Sequence, residues 1–284
     1  MSTLNGIIFF TALGGILSIL AASMLLLISG KRRDGLVPHL VSFATGALLG
    51  AAFLGLLPHA LQMAGSENFH NLGLSILIGI VTFFILEKTV LWRHCHNDHC
   101  EAHTLTSVQS HHDDHGDYHQ HVQTVPSFEP TDAQRQAASG QMILLGDGVH
   151  NFLDGILIAA AFLTDFHLGV VTALAVIAHE VPQEVGDVAI LLDSGMSKKR
   201  AFYTNLAASL TAVFGGILGY YALKDLQEFL PYVLGFAASS FIYIAVADLI
   251  PGLHRRVDAG NSIKQILLIG LGILVVYFSH ATLH

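Results

Sequence analysis

Eight apolar runs, at roughly 4–29, 36–62, 71–93, 137–163, 168–192, 199–222, 230–252 and 263–282, are each long enough to cross about 30 Å of hydrocarbon as a helix. A segment in lipid must satisfy its backbone polar groups internally, so this pattern restricts the chain to an all-α, polytopic bundle of eight transmembrane helices. Composition agrees, with 52% of the 284 residues hydrophobic, 12% charged and a mean hydropathy of +0.59. Too little polar surface remains for a globular domain, and a single transmembrane domain is expected over 1–284. The first run does not read as a removable secretory signal, because no positive charge precedes it and its first basic cluster follows it.

Basic residues set the expected orientation. Lys31, Arg32 and Arg33 follow span one, Arg93 and Arg135 flank the long connection, Lys198 to Arg200 precede span six, and Arg255, Arg256 and Lys264 precede span eight. All lie on every second connection, while the opposite face carries Lys224, so the positive-inside rule predicts both termini outside. The net charge of -8 argues against nucleic acid as a partner. Short connections and the lack of an N-terminal ectodomain suggest a bacterial inner membrane, with lipid as the surroundings and a homodimer left open.

The long polar stretch, about 94–136, reads as one disordered loop on the cytoplasmic side. It gathers His94, Cys95, His96, His99, Cys100, His103, His111, His112 and His115. Metal capture is one reading of this loop and a solvated linker is the other, since no spacing demands a fixed coordination geometry. Its thiols face a reducing compartment, which disfavours a structural disulfide.

A weak internal repeat links spans two and seven. Aligning Phe43 to Pro58 with Phe236 to Pro251 matches Phe43 with Phe236, Ala44 with Ala237, Ala52 with Ala245, Leu56 with Leu249 and Pro58 with Pro251. The two spans cross in opposite directions, so spans one to three and six to eight would form an inverted repeat around central spans four and five, an architecture of secondary transporters.

The central pair carries the chemistry. An ionisable group near mid-membrane costs on the order of 3 kcal/mol on insertion scales, so the four carboxylates Asp154, Glu180, Glu184 and Asp187 would cost about 12 kcal/mol uncompensated. A bound cation is the simplest compensation. His150 and Asp154 stand four apart and share one helix face, with Asn151 about 100° round; His179 and Gln183 repeat that spacing. Pro182 removes a backbone donor and frees the carbonyl near Ala178, which suits a helix lining an ion cavity. Imidazole with carboxylate fits Zn(II), Fe(II), Mn(II) or Cd(II), and the surplus of acids suggests two ions sharing a bridging carboxylate.

Other polar residues have two readings. Asp187 and Asp147 either extend the acidic lines or pair with Ser, Thr or backbone groups. Asp248 before Pro251 and His59 after Pro58 either line the pathway or anchor repeat-related helix ends, and Glu87 beside Lys88 reads as a structural ion pair.

These residues resemble the ZIP (Zrt-, Irt-like) family of metal transporters. The resemblance rests on HNxxDG at His150 to Gly155, HExPxE at His179 to Glu184, the eight spans, the His-rich loop, Leu57 to Ala60 and Glu87-Lys88. It is greatest to the branch with HExPHE in the fifth span, where Gln183 here replaces the second histidine. The resemblance implies a binuclear site, with His150, Asp154, His179 and Gln183 around one ion. Asn151, Asp154, Glu180, Gln183 and Glu184 would surround the other, with Asn205 as a further ligand. It implies transport toward the cytoplasm, no resident cofactor and no enzymatic activity. Gln183 supplies oxygen in place of a borderline nitrogen, which fits a substrate range reaching Fe(II) or Mn(II).

Two rivals differ in class. An intramembrane zinc hydrolase would use His179-Glu180 as the start of HExxH, but Gln183 stands where its second histidine belongs. A cation-diffusion-facilitator-like exporter shares the His and Asp spacing yet resembles this chain less, having six spans and a soluble C-terminal domain.

Overall fold

In the computed structural model, residues 2–28, 30–94, 132–254 and 259–283 are described, and within them every regular element is helical. Eight helices are long and apolar enough to cross a membrane: Thr3–Leu27, Gly35–Ala64, Ser66–Thr89, Ile143–Thr164, Phe166–Leu192, Lys198–Leu223, Gln227–His254 and Gly260–Ser279. They match the eight apolar runs in order, with ends displaced by a few residues. Local capping explains several starts. The Ser2 hydroxyl accepts from Asn5 N at the first span, and the Asp165 carboxylate accepts from Leu168 N at 2.9 Å at the fifth. The helix carrying span four begins at Asp132, within the stretch expected as loop.

Enclosure is uneven. In spans two and five, 61% and 67% of the most apolar stretch is buried, against 17% in span three and 11% in span eight. Spans three and eight therefore leave most of their circumference on the outside of the bundle, and span five is the most enclosed.

The packing groups the spans differently from the expected scaffold of one to three and six to eight. Span one packs along span five and span six along span four, while span two packs on span eight and span three on span seven. Small residues explain how close these seams are. A Cβ on Gly155 would lie 2.0 Å from Ala212 O, and one on Gly215 would lie 1.9 Å from Phe152 O, so spans four and six meet backbone to backbone. Thr211 Oγ1 fixes the same seam by donating to Gly148 O at 2.6 Å. Spans one and six thus belong with the central pair.

The packing also carries the repeat. Exchanging span one with six, two with seven, three with eight and four with five maps each of these four contacts onto another of them. Spans two and seven each contain a π-helical segment, at Ala51–Leu56 and Ile244–Leu249. The alignment that places Pro58 on Pro251 places these segments on each other. A proline ring crowds the carbonyl four residues back, and the wider turn before it relieves that clash. In each case the closing bond spans five residues, Leu57 N to Ala52 O and Ile250 N to Ala245 O.

Candidate metal centre

Span four presents Asp147, His150, Asn151 and Asp154 at helical positions i, i+3, i+4 and i+7, so all four share one face. Span five runs unbroken through the buried Pro182 and presents His179, Glu180, Gln183, Glu184 and Asp187. Where the two helices face each other, His150, Asp154, His179 and Glu180 bring one donor atom each within 4.8 Å of the others. The two Nε2 atoms are 3.3 Å apart. His150 Nε2 lies 3.6 Å from Asp154 Oδ2 and 3.4 Å from Glu180 Oε1, and His179 Nε2 lies 3.5 Å and 3.4 Å from the same two oxygens.

These separations are five of the six edges of a tetrahedron. Ligands about 2.0–2.1 Å from a Zn(II) at the centre of a regular tetrahedron stand about 3.3 Å apart, close to the five distances above. The tautomer of His179 agrees, because its Nδ1 lies 3.3 Å from Ala175 O. A carbonyl can only accept, so the proton sits on Nδ1 and the Nε2 lone pair points to the centre. Both oxygens of Asp154 and Glu180 Oε1 are buried and, among the described residues, have no hydrogen-bond partner. Buried carboxylate oxygens without donors cost several kcal/mol each, roughly, unless a positive charge faces them. The donor set and its geometry fit a four-coordinate divalent cation of borderline softness.

A second group lies against the first. Asp147, Glu180 and Glu184, all buried, also bring one carboxylate oxygen each within 4.8 Å of the others, so Glu180 belongs to both groups. Asn151 Nδ2 donates to Asp147 Oδ1 at 2.8 Å and to Glu180 Oε2 at 3.4 Å. Glu184 accepts from Asn205 Nδ2 and from the Ser209 hydroxyl, both on span six. Sequence reading placed Asn205 here and missed Ser209. A serine in a membrane helix ordinarily bonds its own backbone, as Ser209 also does toward Asn205 O at 3.0 Å, so nothing in its sequence position marks it.

The two groups are open on one side and closed on the other. A cavity of about 670 Å³ lies between spans three, four, five and seven, and its lining includes Glu87, Asp147, His150, Gln183, Asp187 and Asp248. Thr89 and Ile143 also line it, so it reaches the ends of spans three and four that residues 95–131 connect. In the other direction the apolar core, including Ile158, Ala161, Leu168, Leu234 and Phe241, fills the space between the helices.

The remaining expected residues distribute as follows. Gln183 and Asp187 face the cavity, as does the exposed Asp248. Glu87, read as a partner of Lys88, accepts instead from the Tyr243 hydroxyl of span seven; neighbours in a helix point in different directions. His59 is half-buried near the far end of span two, where its Nδ1 donates to Gly55 O at 2.9 Å, and it belongs to neither cluster. Cys95, His96, His99, Cys100, His103, His111, His112 and His115 lie outside the described residues, as does the side chain of His94.

A buried His and carboxylate centre, held by two helices inside an eight-span bundle and open to one side, defines a membrane carrier for cations. The family model described as ZIP Zinc transporter matches residues 3–280, and the chain belongs to that family. It is 32% identical over 261 residues to "Zinc transporter ZIP13" of Mus musculus, covering 84% of this chain and 68% of that protein. To "Zinc transporter SLC39A7" of Homo sapiens it is 33% identical over 319 residues, covering 89% of this chain and 66% of that protein. The Gallus gallus "Zinc transporter ZIP13" is 32% identical over 276 residues, with 87% and 74% covered. These are animal proteins, so the expected bacterial membrane gains no support from them.

Proposed function

We propose that this protein moves divalent transition-metal ions, Zn(II) foremost and Fe(II), Mn(II) or Cd(II) in addition, through a binuclear centre between spans four and five. The supporting observation is the near-tetrahedral cage of two imidazole nitrogens and two carboxylate oxygens, buried in an otherwise apolar bundle. His150, Asp154, His179 and Glu180 hold the first ion. Asn151, Glu180, Gln183 and Glu184 surround the second, with Asn205 beside them and Glu180 as the shared carboxylate. The imidazoles discriminate against Mg(II) and Ca(II), which take oxygen shells.

Direction follows from the charge pattern. With both termini outside and the basic connections inside, the 670 Å³ cavity opens to the cytoplasm and the apolar core closes the outer side. Ions then pass Asp187 and Asp248 toward the His-rich loop, which captures metal on the receiving side. Transport fits the site better than hydrolysis does, since Gln183 replaces the histidine that an HExxH zinc site requires.

The test is metal flux into liposomes holding a zinc-sensitive dye, with wild type, His179→Ala and Asp154→Ala at matched insertion. Loss of flux in both variants is expected. Equal flux in all three would remove spans four and five as the conduit, and cleavage of a peptide or lipid without metal movement would favour the hydrolase.

A further inference from the structure

Asp147 has the features of a cation ligand and no role in the ligand sets above. It is 4% exposed at the start of the polar face of span four, one turn before Asn151 and two before Asp154. Asn151 Nδ2 holds its Oδ1 at 2.8 Å, while its Oδ2 has no hydrogen-bond partner among the described residues. One oxygen is thus fixed in place and the other is left to accept. Across from it, Glu184 is held by Asn205 and Ser209, and the Oδ1 of the fully buried Asn205 has no hydrogen-bond partner among the described residues. Three buried carboxylates converge where a positive charge would satisfy them. Of the three acids, Asp147 is the one that also lines the cavity.

We propose that Asp147, with Glu180 and Glu184, forms an all-oxygen cation position, and that Asp147 is the ligand through which an ion passes from the buried centre into the cavity. The proposal rests on the reading that the histidine-bearing group holds a metal ion. Glu180 belongs to both groups, so an ion can exchange one ligand at a time and is never stripped of all of them. The two positions differ in softness. Imidazole nitrogen selects borderline metals, whereas an oxygen-only shell narrows the preference for Zn(II) over harder ions such as Mn(II). The two positions thus differ in selectivity, and each meets the cavity through one ligand, His150 in the first and Asp147 in the second.

Two metals report the two positions separately in the purified full-length protein. Co(II) in a four-coordinate nitrogen and oxygen site gives intense visible absorption, and Mn(II) bound after one equivalent of Zn(II) is read by electron paramagnetic resonance. In Asp147→Asn, which keeps the side-chain shape and removes the charge, the cobalt band is expected to persist with affinity within about twofold, and Mn(II) binding to weaken at least tenfold. Asp147→Glu is expected to recover part of the Mn(II) binding. Unchanged Mn(II) affinity in Asp147→Asn beside an intact cobalt band would overturn the proposal. If Asp147→Asn loses both signals, Asp147→Glu decides: return of the cobalt band without Mn(II) binding also overturns it. Absence of the cobalt band in wild type would instead remove the underlying reading of the histidine group.

Discussion

The histidine-bearing group and the acid group are built on the same two helices, share Glu180, and present opposite chemistry within one turn of each other. In the first, two imidazoles face two carboxylates at nearly equal separations of 3.3 to 3.6 Å. In the second, three carboxylates converge without nitrogen, and Asn151, Asn205 and Ser209 orient them by donating hydrogen bonds. Helical spacing alone does not separate them, because both use residues four apart. The difference arises from what stands opposite. His150 and Asp154 meet His179 across the helix pair, while Asp147, one turn earlier, meets Glu184, whose other contacts come from span six. A neighbouring third helix turns a run of acids into a second, distinct environment.

The largest expected effect that would break this comparison is at His179. Removing its imidazole takes one vertex from the first group and leaves Asp154 and Glu180 facing each other, so Zn(II) affinity by calorimetry should fall about 100-fold or more, since loss of a supporting partner alone typically costs 10–100-fold. Mn(II) affinity should change by less than about threefold. An equal loss for both metals would mean that the two groups act as one site.

Acidification bears on the first group. Protons compete with Zn(II) for the imidazole nitrogens, and binding therefore releases protons. Zn(II) affinity should fall as the pH is lowered, which isotherms at pH 7 and pH 6 check; an affinity that did not fall would argue against histidine ligation.

Ser209→Ala removes one of the two donors that hold Glu184. Hydrogen bonds to charged groups contribute about 1.5–3 kcal/mol, so Mn(II) binding should weaken roughly tenfold while the cobalt band of the first group is retained. A loss of the cobalt band in this variant would show that span six supports both groups equally. Tyr243→Phe should have the smallest effect. It removes the hydroxyl that bridges spans seven and three through Glu87 at the cavity wall, away from both groups, and flux should change by less than about twofold.

Much of the fold was legible before any coordinates. Apolar length located all eight helices, because a helix in lipid must be both long and continuous. Pro58 and Pro251 gave the register of the repeat, and the two π-helical segments fall on that register because each relieves the strain of the proline after it. The grouping of spans one and six with the central pair was not legible. It depends on Gly155 and Gly215 meeting backbone across helices distant in sequence, and glycine in a membrane helix has several uses.

The candidate site was legible along each helix and not across them. His150, Asp154 and His179 follow from four-residue spacing, which fixes neighbours on one face. Glu180 as the shared carboxylate depends on how span five is rotated against span four, a quantity that the sequence of either helix leaves free. The same applies to Ser209 and to the Tyr243 contact of Glu87. Asp147 was visible as an acid in an apolar run, yet its Oδ2, without a hydrogen-bond partner among the described residues, and its position at the cavity wall emerge only when Asn151 and the third helix are in place.

The most direct test of the metal centre is X-ray absorption at the zinc edge of the purified protein loaded with one equivalent of Zn(II). The expected spectrum has four ligands at about 2.0 Å, two of them with imidazole outer-shell scattering that disappears in the double variant His150→Ala, His179→Ala. Six oxygen ligands with no imidazole scattering in the wild-type protein would contradict the assignment of His150, Asp154, His179 and Glu180 as the ion's cage.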